Sequence, residues 1–393
     1  MAREAVHGAV EPGYEPVRRA FEVNFAEEGE VGAAVAVYRH GRPVVDLWAG
    51  VRNTETGAPW EEHTPVRVAS TTKGLTAVCA NLLAQRGELD LDAPVAAYWP
   101  EFKAEGKESV PVRWVLAHRA GVPVVDRTFT AEDVFAWFPV VDAIAAQKPL
   151  WKPGTAHGYH GQTYGYMVGE LVRRITGRTI GRFLAEEVAG PLALDAWIGT
   201  PEDVIPKVAR VLSPAYGAVS GDAGCKRADA EREEPTGGGA DDLAERFGLI
   251  MRVALFTHLM PDYNAPEWLR IEMPSANGVT TARSLAKLYA SLIGEVHGRR
   301  LFTPETLAAA TTPQAEGEDR ILRHATRWGL GFSLASEPSP MLGPHSFGHA
   351  GAGGSFGLAD PESGVSMGYV MNLHKMGEDR RGTRLMEAVR ASL

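Results

Sequence analysis

The chain has 393 residues, 45% of them hydrophobic and 23% charged, with a formal net charge of −9 and two cysteines. That length can bury a sizeable core in one large domain or in two to three ordinary ones, and the acidic balance excludes a protein that must neutralise nucleic-acid phosphates. Cys79 and Cys225 alone make neither a disulfide framework nor a cysteine-ligated zinc site. The N-terminal stretch has no apolar leader and no apolar run is long enough to span a bilayer, so the expected setting is cytoplasmic, away from the membrane.

Residues 31–52 read as a hairpin. Val31 to Tyr38 is β-rich, Arg39-His40-Gly41 supplies a turn, and Val44 to Trp48 resumes the extended pattern. The period then changes. Leu75, Val78, Cys79, Leu82 and Leu83 fall at i, i+3, i+4, i+7 and i+8, one face of a helix starting near Ser70 and stopping at Arg86-Gly87.

The middle of the chain reads as mainly helical. Leu116 to Pro123 looks like a helix end and a sharp turn, and Tyr164, Met167, Val168, Leu171, Val172 and Ile175 mark an amphipathic helix closed by Gly177. Residues 214–240 are polar and end in three glycines, which predicts a mobile loop or surface insertion. Helical spacing returns over 281–293. Gly329–Leu334, Gly354–Ala359 and Val365–Met371 are strand candidates, and Leu385, Met386, Val389 and Leu393 mark a terminal helix.

Strands at both ends with helices between them predict an α/β (α+β) chain of two lobes. An antiparallel sheet built from both termini and flanked by helices would take residues 1–85 and 280–393. A mainly helical second lobe would take 86–200, and 201–279 would be an insertion near the cleft.

Three serine motifs compete for the chemistry. Gly353-Gly354-Ser355-Phe356-Gly357 matches G-x-S-x-G, but a strand and a turn come after it where a nucleophile elbow needs a helix. A glycine-rich bend beside a strand fits better. Ser284-Leu285-Ala286-Lys287 is an S-x-x-K further inside its helix with no partner set after it, which predicts a packing or surface role. Ser70-Thr71-Thr72-Lys73 is different. Its serine opens a helix, so the lysine three residues on shares its face and the free N–H groups of the helix start point to where an oxyanion would develop. A serine hydroxyl needs a base within reach. A desolvated lysine can be that base, or can stay charged and depress a tyrosine.

Three ordered segments resemble the serine β-lactamase/penicillin-binding-protein superfamily, most of all its family VIII carboxylesterases, which are similar to class C β-lactamases. They are Val68 to Gly74, then Pro153-Gly154-Thr155 with Tyr159-His160-Gly161 and Gly190-Pro191-Leu192, and finally Gly348 to Gly354. The resemblance runs from about residue 20 to the C-terminus. It implies a β-lactamase/transpeptidase-like fold with Ser70 as the acylated nucleophile and Lys73 and Tyr159 sharing the base work. It further implies an oxyanion hole from the backbone N–H groups of Ser70 and Ala352. His349-Ala350-Gly351 would stand where relatives carry Lys-Thr-Gly, making His349 and Gly351 substrate-binding candidates.

The departures bear on substrate. Class C lactamases carry Asn two residues after the tyrosine, where this chain has Gly161, and a cationic lysine where it has the mostly neutral His349. Losing an amide donor and a positive charge weakens recognition of a β-lactam more than that of a neutral ester. The expected activity is therefore hydrolysis of carboxylic esters through a Ser70 acyl-enzyme, and the resemblance implies short acyl chains. The partner would be a small-molecule ester, and no metal or organic cofactor is expected. A β-lactamase, a D-amino-acid peptidase or acyltransferase, and a non-catalytic ligand-binding relative are the alternatives.

Trp151, His345 and Phe356 are further candidate pocket residues, and 214–275 with the Thr128–Val140 loop are expected to line or cover the cleft. His157 and His160 lack a third ligand at metal-site spacing, the glycines around Gly351 lack a dinucleotide-binding context, Glu231–Glu234 reads as a solvated surface, and Cys79 reads as core packing.

Overall fold

The β-branched run after Val31 forms the first long hairpin. Strand β1 (His7–Val10) and helix α1 (Glu15–Glu27) precede it, and its arms are β2 (Gly32–Arg39) and β3 (Arg42–Asn53). His40 and Gly41 take φ of 47° and 76°, the two-residue turn whose twist matches paired strands. The short β4 (Ala58–Pro59) pairs with the far end of β3. The computed structural model describes residues 5–213, 248–250, 252–253, 262–375 and 378–393. The predicted loop 214–240, Glu231–Glu234 and Cys225 lie outside them.

Next come β5 (Val66–Arg67) and α2 (Thr72–Gln85), then α3 (Thr163–Thr176), β6 (Ala196–Trp197), β7 (Val279–Thr280) and α4 (Ala282–Ile293). The C-terminal part holds β8 (Ala315–Glu318), β9 (Ala325–Trp328), β10 (Ser333–Leu334), β11 (Phe347–Ala350), β12 (Phe356–Asp360), β13 (Val365–Met371) and α5 (Arg381–Arg390).

The main sheet is antiparallel, in the order β1-β3-β2-β13-β12-β11-β10-β9-β8. Its two termini meet at the centre, where β13 pairs with β2 in a register from Val365 opposite Arg39 to Met371 opposite Ala33. Alternate side chains serve opposite faces. Val35, Val37, Phe356, Leu358 and Tyr369 pack under α1 and α5, through Val17, Phe21, Leu385 and Val389. The other face lies against α4, whose Leu285, Leu288 and Tyr289 join the core shared with the helical lobe. A Cβ at Gly368 would stand 2.3 Å from the Ala282 carbonyl oxygen, so only glycine lets α4 lie this close to β13.

Two readings need correction. Gly329–Leu334 is not a strand: Gly331 takes φ of 87° and the run turns the chain from β9 to β10, leaving only Ser333–Leu334 paired. The predicted strand at Gly354 starts at Phe356, because Gly353 and Gly354 take φ of 91° and 112°. The Ser70 helix also differs in character. Every residue from Thr72 to Leu83 is buried, because α2 is packed by other elements on its polar side as well as its apolar one. Among the described residues no helix is long and apolar enough to cross a membrane.

One buried cation ties the two ends together. Arg381, on α5, has no exposed surface and donates to Glu30 (2.8 Å), Asp379 (2.7 Å) and the carbonyls of Gly353 (2.9 Å) and Leu373 (3.0 Å). The Tyr369 hydroxyl also bonds Glu30. Burial pushes the Glu30 carboxyl up to about 7 despite the attraction of Arg381 and the Tyr369 bond. Removing the cation would strand that carboxyl and free the turn at Gly353. Arg381→Met should lower the unfolding free energy by about 3–5 kcal/mol in guanidinium titrations. The exposed Arg390→Met should change it by less than about 0.5 kcal/mol.

Candidate active site

The approach to Ser70 is a strained turn. β5 is held to β7, and Val68 N–H donates to the Gly278 carbonyl at 2.9 Å. Ala69 then takes φ of 46°, a left-handed conformation that costs a non-glycine residue free energy and persists only where the surroundings impose it. The Thr72 hydroxyl closes the turn on the Ala69 carbonyl at 2.6 Å. Ala69–Thr71 is a 3-10 turn leading into α2, so Ser70 stands at the helix entrance, partly exposed.

Lys73 lies one turn further on and is 1% exposed. Its Nζ is 3.2 Å from Ser70 Oγ and 3.1 Å from the Ser275 carbonyl oxygen. Among the described residues it has no carboxylate partner, and desolvation holds the amine well below the usual lysine range. The Tyr159 ring is 4.8 Å from that Nζ. Burial raises the Tyr159 hydroxyl and a side-chain hydrogen bond to Ser70 opposes the rise. The structure thus brings Ser70, Lys73 and Tyr159 together, in surroundings that disfavour both the ammonium and the phenolate form.

Behind Tyr159 stands a wall of rings. Its ring stacks on Trp328 at 5.9 Å and meets His118 at 5.1 Å and His349 at 6.4 Å. His349 is buried, its Nδ1 lies 2.8 Å from the Ala350 carbonyl, and burial with the nearby Lys73 holds it down to about 3. It is neutral, and it is buried without lining the cavity beside Ser70. Gly351 also packs inward, where a Cβ would meet the Val68 carbonyl at 2.3 Å. Ala352 does line the pocket beside Ser70.

That pocket has a volume of about 320 Å³. Tyr159, Gly161, Gln162 and Arg67 contribute to it, and its apolar walls come from Ile250, Val253, Tyr263, Ile321 and Leu322. Trp151 packs on Val124, Val253 and Ile321 just behind, with its indole N–H on the Ala156 carbonyl.

Other candidates lie elsewhere. His345 is exposed, pairs with Glu362 at 3.7 Å and lines a separate cleft with Arg300 and Arg327. Phe356 is buried on the opposite face of the sheet against Tyr369. Phe135, Trp137 and Phe138, from the loop expected over the cleft, line a different groove with Arg173 and Ile180.

The rival serines have structural work. Ser355 donates to the Val68 carbonyl at 2.9 Å and meets Thr71 Oγ1 at 3.1 Å, bracing the Ser70 turn. Ser284 sits in the first turn of α4, nearer its start than the motif suggested, and accepts from Asp195 N–H. His157 and His160 are hydrogen-bonded inside the fold, to Thr326 and to Val122 and Gly158. Among the described residues no group of three His, Cys, Asp or Glu side chains could hold a metal ion. Cys79 is a buried free thiol whose ionisation is suppressed by burial.

Sequence reasoning missed Ser275, which anchors the lysine, and Asp319, Trp328 and His118, which back the tyrosine. No local motif marks them. Ser275 and Asp319 each reach their partner across more than a hundred residues.

The geometry has known counterparts. The beta-lactamase family model matches residues 17–391. "Esterase/beta-lactamase LipL" of Mycobacterium tuberculosis is 35% identical over 94% of this chain and 84% of its own length. A crystal structure of a family VIII carboxylesterase superposes with a TM-score of 0.85 at 33% identity, over 99% of this chain and 100% of that one. A penicillin-binding-protein homologue from Caulobacter crescentus gives 0.83 at 36% identity, over the same shares. A match that begins before the first hairpin and ends just beyond α5 takes in both halves of the sheet and everything between, so this chain belongs to the beta-lactamase family and is a serine hydrolase.

Proposed function

We propose that this chain is a carboxylesterase that hydrolyses short-chain esters through an acyl-enzyme on Ser70. The observation that carries the reading is the 3.2 Å approach of the buried Lys73 amine, which no described carboxylate neutralises, to the Ser70 hydroxyl. A neutral amine keeps one lone pair for the Ser70 proton while donating to the Ser275 carbonyl. Ser70 Oγ attacks the ester carbonyl as Lys73 takes that proton. The backbone N–H groups of Ser70 and Ala352 hold the oxyanion, each such donor being worth about 3–4 kcal/mol.

Collapse of the tetrahedral intermediate expels the alcohol, which leaves with the proton passed from Lys73 through the Tyr159 hydroxyl. Water then attacks the acyl-serine by the same route in reverse and releases the acid. All protons move among Ser70, Lys73 and Tyr159.

Pocket shape supports an ester over a β-lactam. The 320 Å³ volume is at the small end for ligand sites and its walls are apolar. At Gly161 a Cβ would stand 2.3 Å from the Val253 carbonyl oxygen. The space that an amide side chain would need is therefore already filled. His349, neutral and buried, offers no cation to a lactam carboxylate. LipL is named as both an esterase and a beta-lactamase, so lactam turnover is the comparison to run.

p-Nitrophenyl acetate and butyrate should be hydrolysed faster than the octanoate ester, nitrocefin or a D-Ala-D-Ala peptide. Nitrocefin or peptide turnover exceeding that of the butyrate ester would overturn the substrate assignment. Ser70→Ala should lower kcat by about 10⁴-fold or more, and a fluorophosphonate should label Ser70 alone. Because desolvation lowers the Lys73 pKa, the base is free at lower pH than an exposed lysine. The acidic limb of kcat/KM should therefore lie well below pH 10.5, with activity rising as pH increases through it. Lys73→Arg, which stays protonated, should remain inactive across that range.

A further inference from the structure

Asp319 occupies the loop between β8 and β9 and has no exposed surface. A buried carboxylate ordinarily sits beside a cation, yet among the described residues Asp319 forms no ion pair. It is satisfied by backbone instead. Its Oδ1 accepts from the N–H groups of Tyr159 (3.0 Å), Ile321 (2.8 Å) and Leu322 (2.9 Å). Its Oδ2 faces the Thr326 hydroxyl at 3.5 Å, and Thr326 in turn meets His157 Nε2 at 2.9 Å and the Trp328 indole N–H at 3.0 Å.

The same hairpin holds Tyr159 at two other points. Arg320 N–H donates to the His157 carbonyl at 3.1 Å, fixing the segment two residues before the tyrosine. Trp328 stacks on the phenol ring, with 22° between the planes. Ile321 and Leu322, whose N–H groups share the Asp319 oxygen with Tyr159, are also walls of the Ser70 pocket. One carboxylate oxygen therefore sets the main chain of the tyrosine and of the wall facing it.

We propose that Asp319 is a positioning residue for the esterase reaction: its carboxylate holds Tyr159 against Ser70 and fixes the Ile321–Leu322 wall of the same pocket. The proposal rests on the function proposed above. A carboxylate suits the task because one anionic oxygen can accept three N–H groups, which a neutral oxygen does less strongly. Its charge has a second effect. The groups facing the Tyr159 ring are Lys73, His118 and His349, with Ser70 at the hydroxyl and Asp319 at the backbone. Burial holds His118 and His349 neutral. Burial is the main cause that raises the phenol, and the Asp319 charge adds to it in the same direction, towards the protonated hydroxyl that a relay requires.

The test uses the full-length enzyme and p-nitrophenyl butyrate. Asp319→Asn keeps the shape of the side chain while removing its charge, and Asp319→Ala removes the clasp. Asp319→Asn should lower kcat about 10–100-fold with KM within about threefold of wild type. It should also move the alkaline limb of the kcat profile to lower pH, since a lost negative charge lets the phenol ionise sooner. Fluorophosphonate labelling of Ser70 in Asp319→Asn serves as the control for a folded site, so a failure of Asp319→Ala to fold leaves the test intact. The decisive readout is the double variant. If Asp319 acts through Tyr159, Asp319→Asn/Tyr159→Phe should be no slower than Tyr159→Phe alone. Multiplying losses, or wild-type kcat and pH profile in Asp319→Asn, would overturn the proposal. Full kcat in Tyr159→Phe would overturn the tyrosine relay itself, and this proposal with it.

Discussion

An amine taken out of water is the constraint on which the site depends. A lysine is a base only when its ammonium form is made unfavourable, and packing disfavours that form at Lys73, which pairs with no carboxylate among the described residues. Burial of this kind needs every side of α2 to be covered. The sheet supplies one cover, α3 and the helical lobe another, and the segment around Ser275 closes the last gap while giving the amine a carbonyl to donate to. The polar residues of α2 are therefore as interior as its leucines.

The rest of the architecture can be understood as the means of bringing three remote strips of chain to that amine. Ser70 comes from the N-terminal part, Tyr159 from the helical lobe, and the strip carrying Ala352 from the C-terminal sheet. The last two are held by charged anchors away from the chemistry. Arg381 fastens the carbonyl of Gly353, next to Ala352, to α5 and to the end of the α1 segment. Asp319 fastens the tyrosine to the β8–β9 hairpin. The central β2–β13 pair of the sheet joins the N-terminal and C-terminal parts of the chain, from Val365 opposite Arg39 to Met371 opposite Ala33.

The shape of the cavity depends on the groups that fill it more than on which motif residues are present. Gly161 and Gly351 are small because carbonyl groups occupy the space a side chain would take, those of Val253 and Val68. His349 is a neutral ring that serves as backing for the tyrosine. His345 and Phe356 lie near the third motif in sequence yet outside the pocket. A strand sends alternate side chains to opposite faces, and Phe356 falls on the far one.

Local pattern alone was enough for the β2–β3 turn, the extents of α2 and α3, and the existence of the terminal helix, which ends at Arg390 and leaves Leu393 beyond it. Each is set by contacts within a few residues: periodicity, a left-handed glycine, a lysine one turn from a serine. The same locality separated Ser70 from Ser355, since the residues after Ser70 carry a helical period and those after Ser355 an extended one. The β8–β9 hairpin was illegible, because AEGE and ATRW are short, half-exposed and carry no alternation strong enough to mark them. The sequence by itself thus determined the local elements that carry the candidate residues and the order in which they occur. Only the tertiary structure decided that Lys73 is dry, that Tyr159 is clasped by Asp319, and that Val253 closes over Gly161. Desolvation and clash depend on the space that distant elements exclude, and no short motif records that.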